Sequence, residues 1–140
     1  MKKSVRKKWG KVEVELEPAS LEGVNCVYVD VFSVAAAFSD KAELFRGFAE
    51  FPGRAVFVLD AWHESHMPLA RRYRELCGRW AIECVLSEDR PAEEKAVELA
   101  CREGCAVLTR DFDAVRRARE LGCDAPVLIF NRGQLWRARL

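Results

Sequence analysis

The sequence predicts an α/β protein, a single three-layer α/β/α domain around a mainly parallel central sheet. Two observations carry this. Short apolar runs, "NCVYVDVF", "RAVFVLDAWH", "CAVLT" and "APVLIF", recur along the chain and turn polar only at their ends, the pattern of strands buried on both faces. Between them lie longer segments with apolar residues at helical spacing. Such alternation means βαβ units, whose right-handed crossovers place helices on both faces of a parallel sheet.

Residues 1–11 hold six basic residues, Lys2, Lys3, Arg6, Lys7, Lys8 and Lys11, and no acid. They are expected to form a basic arm ahead of a domain spanning residues 12–140. "KVEVELEP" alternates Val12, Val14 and Leu16 with charge, the period of a half-exposed edge strand that Pro18 ends. "NCVYVDVF" predicts a buried strand ending near Asp30, and "SVAAAF" a short helix. Asp40 and Glu43 make a capping-box signature for a helix carrying Ala42, Phe45, Phe48 and Ala49, which "FPG" breaks. The next buried strand, "RAVFVLDAWH", ends on Asp60. Met67, Ala70, Tyr73, Leu76, Cys77 and Trp80 then trace one helical face, and "AIECVLS" is a further strand. Pro91 opens a helix that Gly104 closes, and residues 105–108 make a strand. Ala114, Val115, Ala118 and Leu121 line a helix that Gly122 stops, and "APVLIF" is the last strand before a short tail.

The chain has 140 residues, half of them hydrophobic, enough for one domain with a real core. No run of 18 apolar residues is present, so no membrane-spanning helix and no membrane partner is expected. The Lys-rich start is not followed by an apolar segment, which argues against a secretory signal and for a cytoplasmic protein. The net charge of +1 hides a split: beyond residue 11, 17 Lys and Arg face 22 Asp and Glu. A basic arm on an acidic body suits a nucleic-acid contact, or equally a frayed solubilising terminus. Six cysteines show no CxxC pair and no ligand-like His spacing, which argues against a zinc site. Most are expected to be small buried apolar residues. Two Asn, one Gln and one Thr make the chain poor in amides, as in thermophiles, where intracellular disulfides are permissible.

Three apolar strands end on carboxylates: Asp30, Asp60, and Asp111 with Asp113. The carboxyl ends of parallel strands share one sheet edge, where α/β folds bind ligands. The helix after Pro91 adds Glu93. On a helical wheel it falls about 100° from Ala92, beside the stripe of Ala92, Ala96, Leu99 and Ala100, whereas Glu94 falls at about 200°. Carboxylates so gathered repel one another unless they protonate or a hard cation neutralises them. Oxygen ligands select Mg²⁺ or Mn²⁺ over zinc, and such ions activate water against phosphodiesters. Four of the acids also have a plainer use, Asp30 as a strand-end acid, Asp60 in a turn, Glu93 as a helix-dipole partner and Asp113 as a helix N-cap, whereas Asp111 has none. His63 and His66 are expected in a solvated loop, and the arginines of both Arg-rich helices on solvated faces.

These motifs resemble the PIN-like nuclease domains, nearest to their NYN branch. "VYVDVF" resembles the family's first strand with its metal-binding Asp, and "VFVLDA" the "VVFDA" strand of the NYN branch. "PAEEKAVELACREGCAVLTRDFD" resembles the acid-bearing helix followed by a strand ending in Thr-x-Asp-x-Asp. The resemblance covers residues 24–131 and includes "APVLIFNRG". It implies metal-dependent cleavage of RNA, single-stranded by expectation, with Mg²⁺ or Mn²⁺ held by Asp30, Glu93 and Asp111, and with Asp60 and Asp113 completing the shell. The catalytic set would be Asp30, Glu93, Asp111 and Asp113, and Lys7, Lys8, Arg71, Arg110 and Arg116 would grip phosphates. Val31 and Phe32 stand where the family carries a small or polar residue, and Glu replaces Asp at 93 and 94. Val31 and Phe32 favour a rival reading, a PIN-like protein without catalysis that binds RNA or a protein. A third takes "TRDFD" as the DxD of a Toprim-like site, although Asp30 stands where that site needs a Glu. A homodimer or a protein partner is left open.

Overall fold

A computed structural model describes residues 4–9 and 11–140; Lys2 and Lys3 of the basic segment lie outside the described residues. In chain order the strands are β1 (Val5–Trp9), β2 (Val12–Pro18), β3 (Cys26–Asp30), β4 (Arg54–Asp60), β5 (Glu83–Ser87), β6 (Ala106–Thr109), β7 (Val127–Asn131) and β8 (Gln134–Ala138). The helices are α1 (Val31–Ala35), α2 (Lys41–Ala49), α3 (Met67–Trp80), α4 (Ala92–Glu103) and α5 (Asp113–Leu121), and a 3₁₀ turn at Glu64–His66 leads into α3. All eight strands form one sheet in the order β1-β2-β8-β7-β6-β3-β4-β5. The five strands from β7 to β5 are parallel, while β8, β2 and β1 add antiparallel pairs at the β7 side. The sheet is therefore mixed and mostly parallel, as predicted.

Alternation along the buried strands divides the core in two. Tyr28, Val56, Val58 and Val107 face α4 and α5, packing with Ala92, Ala96, Val97, Ala100, Val115 and Ala118. Val27, Val29, Phe57, Leu59 and Leu108 face the other way, against Val34, Leu44, Phe45, Ala70, Tyr73 and Cys77 of α1 to α3. Period-two strands clothed on both faces by helices are the three layers the sequence implied.

Helix ends follow the local chemistry. Asp40 caps α2 through a 3.0 Å bond from the Ala42 N–H. Gly104 and Gly122 end α4 and α5 at φ values of 71° and 62°, left-handed positions that glycine occupies without a Cβ penalty.

Three expectations change. Val5–Trp9 of the basic segment is the outermost strand, paired with Val12–Leu16, and not an arm. The short tail after "APVLIF" turns back through Arg132 and Gly133 into β8, which joins β7 to β2. Four of the six cysteines are bridged: Cys26 with Cys105 across β3 and the start of β6, and Cys101 of α4 with Cys123 beyond α5. Cys77 and Cys84 are free thiols. Among the described residues no helix is long and apolar enough to cross a membrane.

Candidate active site

Asp30 is the last residue of β3, the central strand of the parallel set, and is 3% exposed. Its Oδ2 accepts two hydroxyl protons, from Ser33 of α1 and Thr109 of β6, each at 2.8 Å. Each hydroxyl in turn accepts a backbone N–H at 3.0 Å, Arg110 on Ser33 and Asp111 on Thr109. Ser33 Oγ also lies 3.2 Å from both the Asp30 carbonyl oxygen and Thr109 Oγ1, so hydroxyls from α1 and β6 share the work of positioning the carboxylate. Burial is the largest influence on Asp30 and drives its pKa up to about 6. The hydroxyls counter that, and the negative charges of Asp111 and Asp60 add to it.

Glu93 sits in the first turn of α4, half-buried. Desolvation pushes its pKa up to about 7, opposed by a backbone N–H and reinforced by the charges of Asp30, Asp111 and Asp113. β3, α4 and the β6–α5 connection therefore bring their acids within reach of one another's fields.

Asp111 and Asp113 divide the work between them. The Asp111 carboxylate accepts the Asp113 N–H at 2.9 Å, so Asp111 stabilises the start of α5. The plainer use that the sequence offered to Asp113 belongs to Asp111. Asp113 instead receives Arg116 Nε and Nη2 at 2.7 and 2.8 Å, a bidentate pair that holds its pKa low. Arg116 also meets Glu120 and, at 3.7 Å, Glu94, so its guanidinium is committed to acids on α4 and α5. Asp60, 9% exposed at the end of β4, accepts the Trp62 N–H at 3.0 Å and is bonded to His66 Nδ1 at 2.9 Å. The acidic edge thus carries cationic or imidazole partners at two of its five members, contrary to the partnerless cluster expected.

Other expected site residues are spread more widely. Arg110 is exposed between Thr109 and Asp111, and Arg71 is exposed on α3. Lys7 and Lys8 lie on β1, five strand spacings from β3, or about 24 Å across the sheet. His66 is no bystander in a solvated loop, since it anchors to Asp60 and its ring centroid lies 5.3 Å from that of Phe32. Val31, the first residue of α1, is fully buried in the core, and Phe32 packs edge-on against Tyr73. Neither departure from the family pattern therefore introduces a group that displaces Asp30. Ser33 and Thr109 were not singled out as site residues. The Thr of the "LTRDFD" motif and a Ser three residues after Asp30 were the signals for them.

No known family matches the chain by sequence, and neither does any curated protein. Solved structures do. The catalytic core of Rad2 superposes with a TM-score of 0.60 at 21% identity, over 88% of this chain and 46% of that one. The same core in complex with a DNA substrate gives 0.58 at 19% identity, over 87% and 49%. The fold is that of the Rad2 catalytic core. The chain spans about half the length of these Rad2 cores, and at such identity the likeness concerns the fold. A PilT N-terminus domain protein from the hyperthermophilic archaeon Sulfolobus solfataricus P2 also aligns, with a TM-score of 0.43 at 15% identity over 73% of this chain and 86% of that one.

PIN-like nuclease folds imply a divalent metal. Here the donor chemistry fits one: the groups are carboxylates only, and their mutual repulsion is what a hard cation relieves. Among the described residues no three His, Cys, Asp or Glu side chains are grouped to hold an ion.

Proposed function

We propose that this chain is a Mg²⁺- or Mn²⁺-dependent ribonuclease of the NYN branch, hydrolysing phosphodiester bonds of single-stranded RNA in the cytoplasm. The observation that carries this reading is the buried Asp30, held by Ser33 and Thr109 within the fields of Asp60 and Asp111. A structural acid at a strand end has no need of such a setting.

Asp30, Glu93 and Asp111 would hold the ion, with Asp60 and Asp113 around them. A bound cation would supply charge neutralisation at the scissile phosphate and acidify a water. The protein's own part is to position. The Ser33–Thr109 mesh orients Asp30, Arg116 orients Asp113, and Asp60 orients His66. Asp60 and Asp113 would hold or orient the attacking water. Exposed Arg110 contacts the phosphate beside the cleaved bond, and Arg71 contacts a neighbouring one. Lys7 and Lys8 serve flanking RNA, being too distant for the reacting nucleotide.

The test is cleavage of an end-labelled single-stranded RNA in Mn²⁺. Cleavage should stop on adding chelator, and Asp30→Asn and Asp111→Asn should each reduce it by about 10²-fold or more, the usual cost of removing a charge-stabilising group. RNA binding without metal-dependent cleavage would instead establish the non-catalytic module.

A further inference from the structure

Just beyond Asp60 lies an aromatic feature that metal chemistry does not require. Trp62 is 47% exposed, and among the described residues it is the one aromatic side chain in the set of large exposed apolar groups, beside Val5, Leu69, Leu121 and Leu140. Its backbone is held on both sides. The Ala61 N–H donates to the Ser87 carbonyl at 2.9 Å, the Trp62 N–H to Asp60 Oδ1 at 3.0 Å, and the His66 N–H to the His63 carbonyl at 2.9 Å. The indole therefore stands exposed on a backbone held by hydrogen bonds, directly beside the acidic edge.

The ring also begins a series. Centroid separations are 6.3 Å from Trp62 to His63, 5.1 Å from His63 to His66, and 5.3 Å from His66 to Phe32. Asp60 anchors the third member through the His66 Nδ1 contact, and only Ala61 separates Trp62 from Asp60, at most about 7 Å of chain. The aromatic rim and the acidic edge are therefore one continuous surface.

We propose that Trp62, backed by His63 and His66, stacks on an unpaired base of the strand whose phosphodiester is cut. The inference rests on the nuclease reading and names how that site holds its substrate. An acidic mouth repels phosphates, and Arg116, the cation nearest Asp113, is taken up by acids. Affinity must then come in part from an uncharged contact, which base–aromatic stacking supplies for any sequence. Bases inside a duplex are already stacked on their neighbours, so the rim selects single strands.

The test uses the full chain carrying Asp111→Asn, so that nothing is cleaved in Mg²⁺, with a 12-nucleotide oligo(A) RNA and a 12-base-pair RNA duplex as probes. Trp62→Ala should weaken oligo(A) binding about tenfold and leave duplex binding unchanged. Trp62→Phe should stay within about threefold of the parent, because a smaller ring still stacks. Quenching of tryptophan fluorescence by oligo(A) should vanish in Trp62→Phe, although Trp9, Trp80 and Trp136 remain. Equal affinity in Trp62→Ala, or equal losses on duplex and single strand, would overturn the proposal while leaving cleavage by the parent sequence intact. Trp62-dependent binding by a parent that cuts no RNA in Mn²⁺ would uphold stacking and remove the nuclease. Failure to bind either probe would overturn both.

Discussion

Asp30 shows how one residue carries opposed demands. Its burial favours the neutral acid, whereas the hydroxyls of Ser33 and Thr109 favour the carboxylate, and burial wins. A folded pKa of about 6 against an ordinary 3.8 means that the folded state binds the extra proton between those values. Its contribution to stability is complete below pH 3.8 and is lost as pH rises through about 6, a difference of about 3 kcal/mol. Asp30→Asn should therefore be more heat-stable than the parent at pH 8, by up to about 8 °C, and lose that advantage near pH 4.5. A gain that does not change with pH would mean that ionisation is not its cause. Thr109→Val should act in the opposite sense. It removes a donor to Asp30 and leaves the Asp111 N–H without its acceptor, costing about 1–3 kcal/mol and moving the Asp30 carboxyl further up in an NMR titration.

Among elements, α4, β6 and α5 form the unit that delivers Glu93, Asp111 and Asp113, and both disulfides attach to it. Cys26–Cys105 ties β6 to β3 across 79 residues, and Cys101–Cys123 ties α4 to the end of α5 across 22. Loop-closure entropy assigns about 3–4.5 kcal/mol to each. Reduction should lower the melting temperature markedly, and Cys101→Ala with Cys123→Ala should reproduce part of that fall. The buried strands and their helices were legible because a parallel strand declares itself in consecutive apolar residues. β1 and β8 were not. Val5–Trp9 carries three basic residues and Gln134–Ala138 carries Arg137, as edge and antiparallel strands can when one face is wet. The acids were legible from their places at strand ends. The Ser33–Thr109 mesh and the Asp60–His66 pair were not, because hydroxyls 76 residues apart meet only once β3 and β6 lie side by side.

Across the whole molecule, charge is separated along the sheet. The basic β1 lies at one edge of the sheet, and the acids lie at the carboxyl ends of the parallel strands. A divalent ion binding there competes with the protons that burial retains on Asp30 and Glu93. Mn²⁺ should therefore raise the melting temperature at pH 8 and much less at pH 5. Equal shifts at both pH values would place the ion elsewhere. Whether this edge is a divalent-metal site is decided by the anomalous signal of Mn²⁺ soaked into crystals at pH 8. A peak bounded by the carboxylates of Asp30, Glu93 and Asp111 is expected. A well-ordered edge with no peak, or Mn²⁺ bound only at other acids, would contradict it.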